Sequence, residues 1–189
     1  TSANTYPATL IILGIDPSST STGFGLISYD RRTFRYLKSG TIRPKSGQTF
    51  DERLVTLYQR MSQIVVEASP DEVAMESTFY GKDPKAVARL GETRGVLRLA
   101  IKQAELSLAD YAPAEVKKAV AGAGRATKEQ GQFMITKLLK LKEAPRPLDA
   151  SDALAVALCH AHNVTFRPSP NARRPRPEIE ALLMRASTR

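Results

Sequence analysis

Asp16 closes the apolar run LIILGI at residues 10–15, and Glu76 closes the short segment EVAME at 72–76. Asp149 and Asp152 lie three apart, and therefore on one face, at the start of an Ala-rich helical pattern. An acid at the end of a buried strand is a poor structural choice, so the four invite a chemical reading. Two ionised carboxylates about 4 Å apart repel by roughly 4 kcal/mol at an effective dielectric near 20, so a bare cluster would protonate or splay apart. A cation removes the conflict. Four carboxylates match the charge of two divalent ions, and such a pair can activate a water and stabilise the departing oxygen of a phosphodiester. Ligands that are all oxygen point to Mg²⁺ or Mn²⁺ rather than zinc. Three of the acids also have a plain use: Asp16 before Pro17 can start a turn, Asp149 can cap a helix, and Asp152 can favour a first-turn dipole. Glu76 has no such use at a strand end. The joint placement, rather than any single residue, points to a metal site.

Other residue types that could act lie close by. Phe79 and Tyr80 follow Glu76 just before a Gly-Lys-Asp-Pro turn that contains Lys82, a place where large aromatics are exposed or half buried. Aromatics there can stack on unpaired bases at about 1–3 kcal/mol each, or one of them can plug a local core. Lys82, Lys85 and Arg89 lead into the i, i+4, i+8 line of Arg94, Arg98 and Lys102, which serves equally as a phosphate-facing stripe or a solvated helix face. Lys117, Lys118, Arg125 and Lys128 gather around a Gly-rich turn whose backbone can approach phosphates. His160 stands eight residues past Asp152, roughly 12 Å along a helix and too far to share its metal. His162 and His160 read as structural or surface histidines, and Cys159 as a packing residue without an activating partner.

These residues need a frame that brings distant segments together. The run at 10–15 reads as a strand buried on both faces, followed by strands at 22–29 and 33–42 in an antiparallel meander. Thr49 and Glu52 form a capping box before Leu54, Leu57, Tyr58, Met61, Ile64, Val65 and Ala68, which share one helical face. A strand at 72–76, a helix at 85–105 and a strand at roughly 107–111 follow. Pro113 suits the first turn of a short helix that the Gly122, Gly124 pair ends; Thr127 with Gln130 opens another to about Leu141. Gly131 inside that helix costs about 1 kcal/mol relative to Ala. After Pro145 and Pro147, residues Ala150, Ala153, Leu154, Ala157, Leu158 and Ala161 make a small-residue face able to approach a sheet closely. The order β-β-β-α-β-α-β-α-α-α predicts an α/β fold: a mixed five-stranded sheet with helices on both faces.

The chain has 189 residues, 42% of them hydrophobic, which is enough for one sizeable core, and a formal charge of +9. Residues 164–189 carry six Arg and two Glu, so a net +5 remains on the rest. That balance favours a polyanionic partner. A single Cys and no apolar stretch of membrane-spanning length fit a reducing cytoplasm with no membrane role. We expect a tail at residues 1–9, one domain at 10–165, and a basic Pro/Arg-rich tail at 166–189.

Several blocks resemble a known family. ILGIDPSSTSTGFGLI resembles the opening motif of the RuvC Holliday-junction resolvases, AMESTFYGKDPKAVARLGETRGV their second acidic block, and LDASDALAVALCHAH their closing helix. YAPAEVKKAVAGAGRATKEQ is similar to their basic segment, so the likeness runs from about Leu10 to His162 in the family's order and spacing. The resemblance implies an RNase H-like fold and a homodimer that makes paired symmetrical nicks in four-way junction DNA. It also implies RuvA and RuvB as branch-migration partners. It assigns Asp16, Glu76, Asp149 and Asp152 to the metals, Phe79 to probing the junction, and Lys117 and Lys128 to DNA. Ser18, often Gly in the family, and Gly131, often aliphatic, depart from the pattern without touching a proposed ligand. Three other readings stay open: an actin-like or sugar-kinase-like ATPase, whose phosphate-binding hairpin GIDPSSTSTGFG also resembles; a non-cleaving junction binder; and a nuclease acting on single strands or hybrids.

Overall fold

Strand β1 (Leu10–Asp16) lies at the centre of the sheet, and its alternating side chains start two cores. Ile11, Leu13 and Ile15 point to one face, while Leu10 and Ile12 point to the other. This is a computed structural model that describes residues 9–30, 33–77, 83–122 and 127–164. The expected tails at 1–9 and 166–189, and Phe79, Tyr80, Lys82 and Arg125, lie outside those residues except for Thr9.

The sheet has the order β3-β2-β1-β4-β5, with β2 (Thr22–Tyr29), β3 (Phe34–Ile42), β4 (Glu72–Glu76) and β5 (Leu108–Tyr111). The first three strands form the expected antiparallel meander, and β4 and β5 add in parallel after helical crossovers. Helices α1 (Phe50–Ala68) and α2 (Pro84–Gln103) cover one face with Leu57, Met61, Leu97 and Ile101. On the other face lie α3 (Pro113–Ala121), α4 (Lys128–Leu138) and α5 (Leu148–Asn163). The fold class read from the sequence therefore holds, and both capping boxes, Thr49 with Glu52 and Thr127 with Gln130, are formed. Helix α4 stops three residues before the expected Leu141: a turn intervenes, with Lys140 at φ 52°.

Helix α5 is the inner layer. Every residue from Ala150 to Ala161 is buried except Asp152, because the sheet covers one side and α3 and α4 the other. Its closeness to the sheet depends on strand glycines as much as on its own alanines. A Cβ at Gly23 would stand 1.9 Å from the Asp149 carbonyl oxygen, and one at Gly14 would stand 2.1 Å from that of Ala153. Substitution at either position must push the helix outward.

Candidate active site

Parity along the strands decides where the acids point. Asp16 follows Gly14 and Ile12 on the α5 face, and Glu76 follows Ala74 on the same face. The parallel register pairs Ile15 with Met75, so the two acids emerge side by side at the ends of β1 and β4. Above them the first turns of α5 carry the aspartates. Pro147, not Asp149, is the N-cap of α5, and the first-turn acid is Asp149 rather than Asp152, which lies one turn further on.

Asp16, Glu76 and Asp152 line one cleft of about 340 Å³ beside α3 and α4, together with Lys117 and Lys128. Asp149 does not line it; its carboxylate is held by the Ser21 hydroxyl, which donates to Asp149 Oδ2 at 2.5 Å, and its charge acts on Asp16 and Asp152. Arg43 Nε in turn donates to Ser21 Oγ at 3.1 Å. Sequence reasoning missed this relay, since nothing in the spacing of Ser21 and Arg43 distinguishes them.

The acids repel one another through a partly dry site. Burial first, then the charges of Glu76, Asp152 and Asp149, push the Asp16 carboxyl up from 3.8 to about 7, against a smaller pull from Lys128. Burial and the Asp152 charge raise Glu76, opposed by Lys117, Arg94 and Lys128. Burial also raises Asp152, with Lys128 and Lys117 pulling down and Asp149 pushing up. Among the described residues no three acidic, His or Cys side chains stand in ion-ligating geometry. The donor set nevertheless fits a hard divalent cation: all oxygen, converging, and short of counter-charge.

Lys117 and Lys128 are exposed at the cleft, as a phosphate-facing pair must be, whereas Lys118 is exposed but does not line it. Arg94 differs from its sequence reading as a DNA contact. Its side chain is only 12% exposed, with Nη2 2.7 Å from Asp110 Oδ1 and Nη1 donating to the Glu76 carbonyl. Arg98 holds the same Asp110 through contacts of 2.9 and 2.7 Å. The helix line 94, 98, 102 is thus largely an ion-pair face, because a strand acid invisible in helical spacing lies beneath it. The histidines divide between the two roles expected, structural and surface: His160 is buried with Nδ1 2.9 Å from the Tyr111 hydroxyl, and His162 is exposed, edge-on to Phe34. Cys159 is buried, and burial pushes its thiol up to about 11, far from a nucleophile's range.

The family model for crossover junction endodeoxyribonuclease RuvC matches residues 12–160. The chain belongs to the RuvC family. A RuvC from Pelotomaculum thermopropionicum is 41% identical over 157 residues, spanning 83% of this chain and 96% of its own. Thermus thermophilus RuvC, solved in complex with a Holliday junction substrate, is similar at a TM-score of 0.76 and 32% identity, covering 80% of this chain and 93% of that one. The yeast mitochondrial Holliday junction resolvase Ydc2, 12% identical with a TM-score of 0.62, covers 98% of this chain and 85% of its own and speaks for the fold alone. Membership in the RuvC family makes the chain a metal-dependent endodeoxyribonuclease with an RNase H-like fold. In that setting the departure at Ser18 is benign. Ser18 does not adopt a positive φ, and its hydroxyl accepts from the Thr20 and Ser21 amides inside the turn.

Proposed function

We propose that this chain resolves four-way DNA junctions, with Asp16, Glu76, Asp149 and Asp152 holding two Mg²⁺ or Mn²⁺ ions against the scissile phosphate. The observation that carries the proposal is the convergence of acids from three remote segments on one cleft that also contains Lys117 and Lys128. Ions bound there would supply a nucleophilic water at neutral pH and stabilise the leaving oxygen. The chain's own residues prepare that chemistry. Asp16 and Glu76 are fixed to rigid strand ends, Ser21 holds Asp149, and the two lysines offer positive charge where a phosphate backbone would pass.

Phe79, with Tyr80 and Lys82, follows Glu76 closely enough in the chain to meet bases opened at a junction, and we assign it the stacking role. Lys118 is assigned an outer phosphate contact. Paired symmetrical nicks need two such sites, so the working form is a homodimer, acting in the cytoplasm with RuvA and RuvB as partners. No helix among the described residues is long and apolar enough to cross a membrane.

The test is cleavage of a synthetic four-way junction beside a linear duplex of the same sequence, with Asp16→Asn as control. The parent should nick the junction selectively and only with a divalent ion, while Asp16→Asn binds it without nicking. Equal cutting of both substrates, or full activity in chelator, would overturn the proposal.

A further inference from the structure

The strongest feature that the cleft chemistry does not use lies behind it, on the opposite face of the sheet. Asp110 is in register with Met75 of β4, whose side chain belongs to the α1–α2 core, so its carboxylate points away from the acids. Two α2 arginines converge on it, Arg94 at 2.7 Å and Arg98 at 2.9 and 2.7 Å. Arg94 also reaches past the end of β4 and donates to the main-chain carbonyl of Glu76. That carbonyl belongs to the residue whose side chain enters the cleft. We infer that Arg94, oriented by Asp110 and Arg98, is a positioning residue that sets the end of β4 and thereby the reach of the Glu76 carboxylate toward bound ions.

Two further points agree. Arg94 is 12% exposed, against 40% for Arg98, so it is the member committed to the interior. Its planar fork can satisfy a carboxylate and a carbonyl at once, which an ammonium cannot do with the same geometry. Supporting groups of this kind typically change metal affinity or activity by about 10–100-fold when removed. The inference rests on the proposed role of Glu76 as a metal ligand.

Two substitutions separate positioning from direct DNA contact. Arg94→Lys keeps a charge able to bind phosphate but cannot span Asp110 and the Glu76 carbonyl. Asp110→Asn, on an edge strand and 36% exposed, removes the negative charge that holds two arginines. Junction binding in chelator, Mn²⁺ affinity by loss of the free-ion paramagnetic resonance signal, and the Mn²⁺ concentration for half-maximal cleavage would be measured. We expect both variants to bind junction at least as well as the parent, yet to need about 10-fold more Mn²⁺ in both metal readouts. Parent-like metal dependence in Arg94→Lys would overturn the inference, as would tighter junction binding with unimpaired cleavage in Asp110→Asn. Either variant's melting temperature shows whether it is folded, and a folded one suffices to decide. A Glu76→Gln protein whose Mn²⁺ affinity matches the parent's would instead sink the ligand role itself, a distinct failure.

Discussion

Asp16→Asn is expected to make the metal-free protein more stable, and only above acid pH. The parent carboxyl rises from 3.8 to about 7 on folding, so the folded state binds its proton more tightly than the unfolded chain. Parent stability therefore falls as pH climbs from about 4 to about 7 and is level beyond. At about 1.4 kcal/mol per pKa unit the full penalty is about 4 kcal/mol. No hydrogen bond from a described residue offsets it, whereas Glu76, Asp152 and Asp149 all add to it. Because these acids share the repulsion and relax when one is removed, a single substitution should recover about 2 kcal/mol. For a domain of this size that is a rise of about 4–8 °C in melting temperature at pH 8. At pH 5 the gain should shrink to roughly a third, and near pH 3.5 it should vanish. Thermal or urea unfolding in chelator across this range reads the effect directly, and adding Mg²⁺ should reverse the order by stabilising only the parent. An Asn variant no more stable than the parent at pH 8, or a gain independent of pH, would refute the reasoning.

Because protons and ions compete for the raised carboxyls of Asp16, Glu76 and Asp152, the Mn²⁺ needed for half-maximal cleavage should fall by up to about 10-fold per unit as pH rises from 6 to 7. A flat metal titration across that range contradicts it. Lys117→Ala and Lys128→Ala should each lower cleavage and reduce the salt slope of junction binding by about 1; unchanged nicking by both at physiological salt counts against their role. Gly23→Ala should destabilise by about 1–3 kcal/mol and depress cleavage, since its Cβ would stand 1.9 Å from the Asp149 carbonyl oxygen. Parent-like melting and cleavage would show that α5 yields without consequence.

The strands, the capping boxes and the strand-end and helix-start positions of the acids are legible in the sequence because each depends on local signals: apolar parity, cap residues and helical spacing. What the sequence hides is what crosses between elements. Arg94, Arg98 and Lys102 form an ordinary helix line until Asp110, from a strand beneath, takes two of them. Ser21 becomes a partner of Asp149 only because β2 and α5 meet, 128 residues apart in the chain. The strand glycines did leave a signal: Gly23 and Gly25 alternate on one face of β2, facing a helix rich in alanine. Matching small residues on a strand and a helix predict close approach, and close approach is what seats Asp149 beside β1 and β2.

The account turns on divalent ions held between strand-borne and helix-borne acids, and anomalous diffraction from a Mn²⁺-loaded junction complex of this chain tests that directly. Two peaks about 3.5–4 Å apart, bonded to oxygens of Asp16, Glu76, Asp149 and Asp152, are predicted. Ions bound elsewhere, or none between β1 and α5, would contradict it.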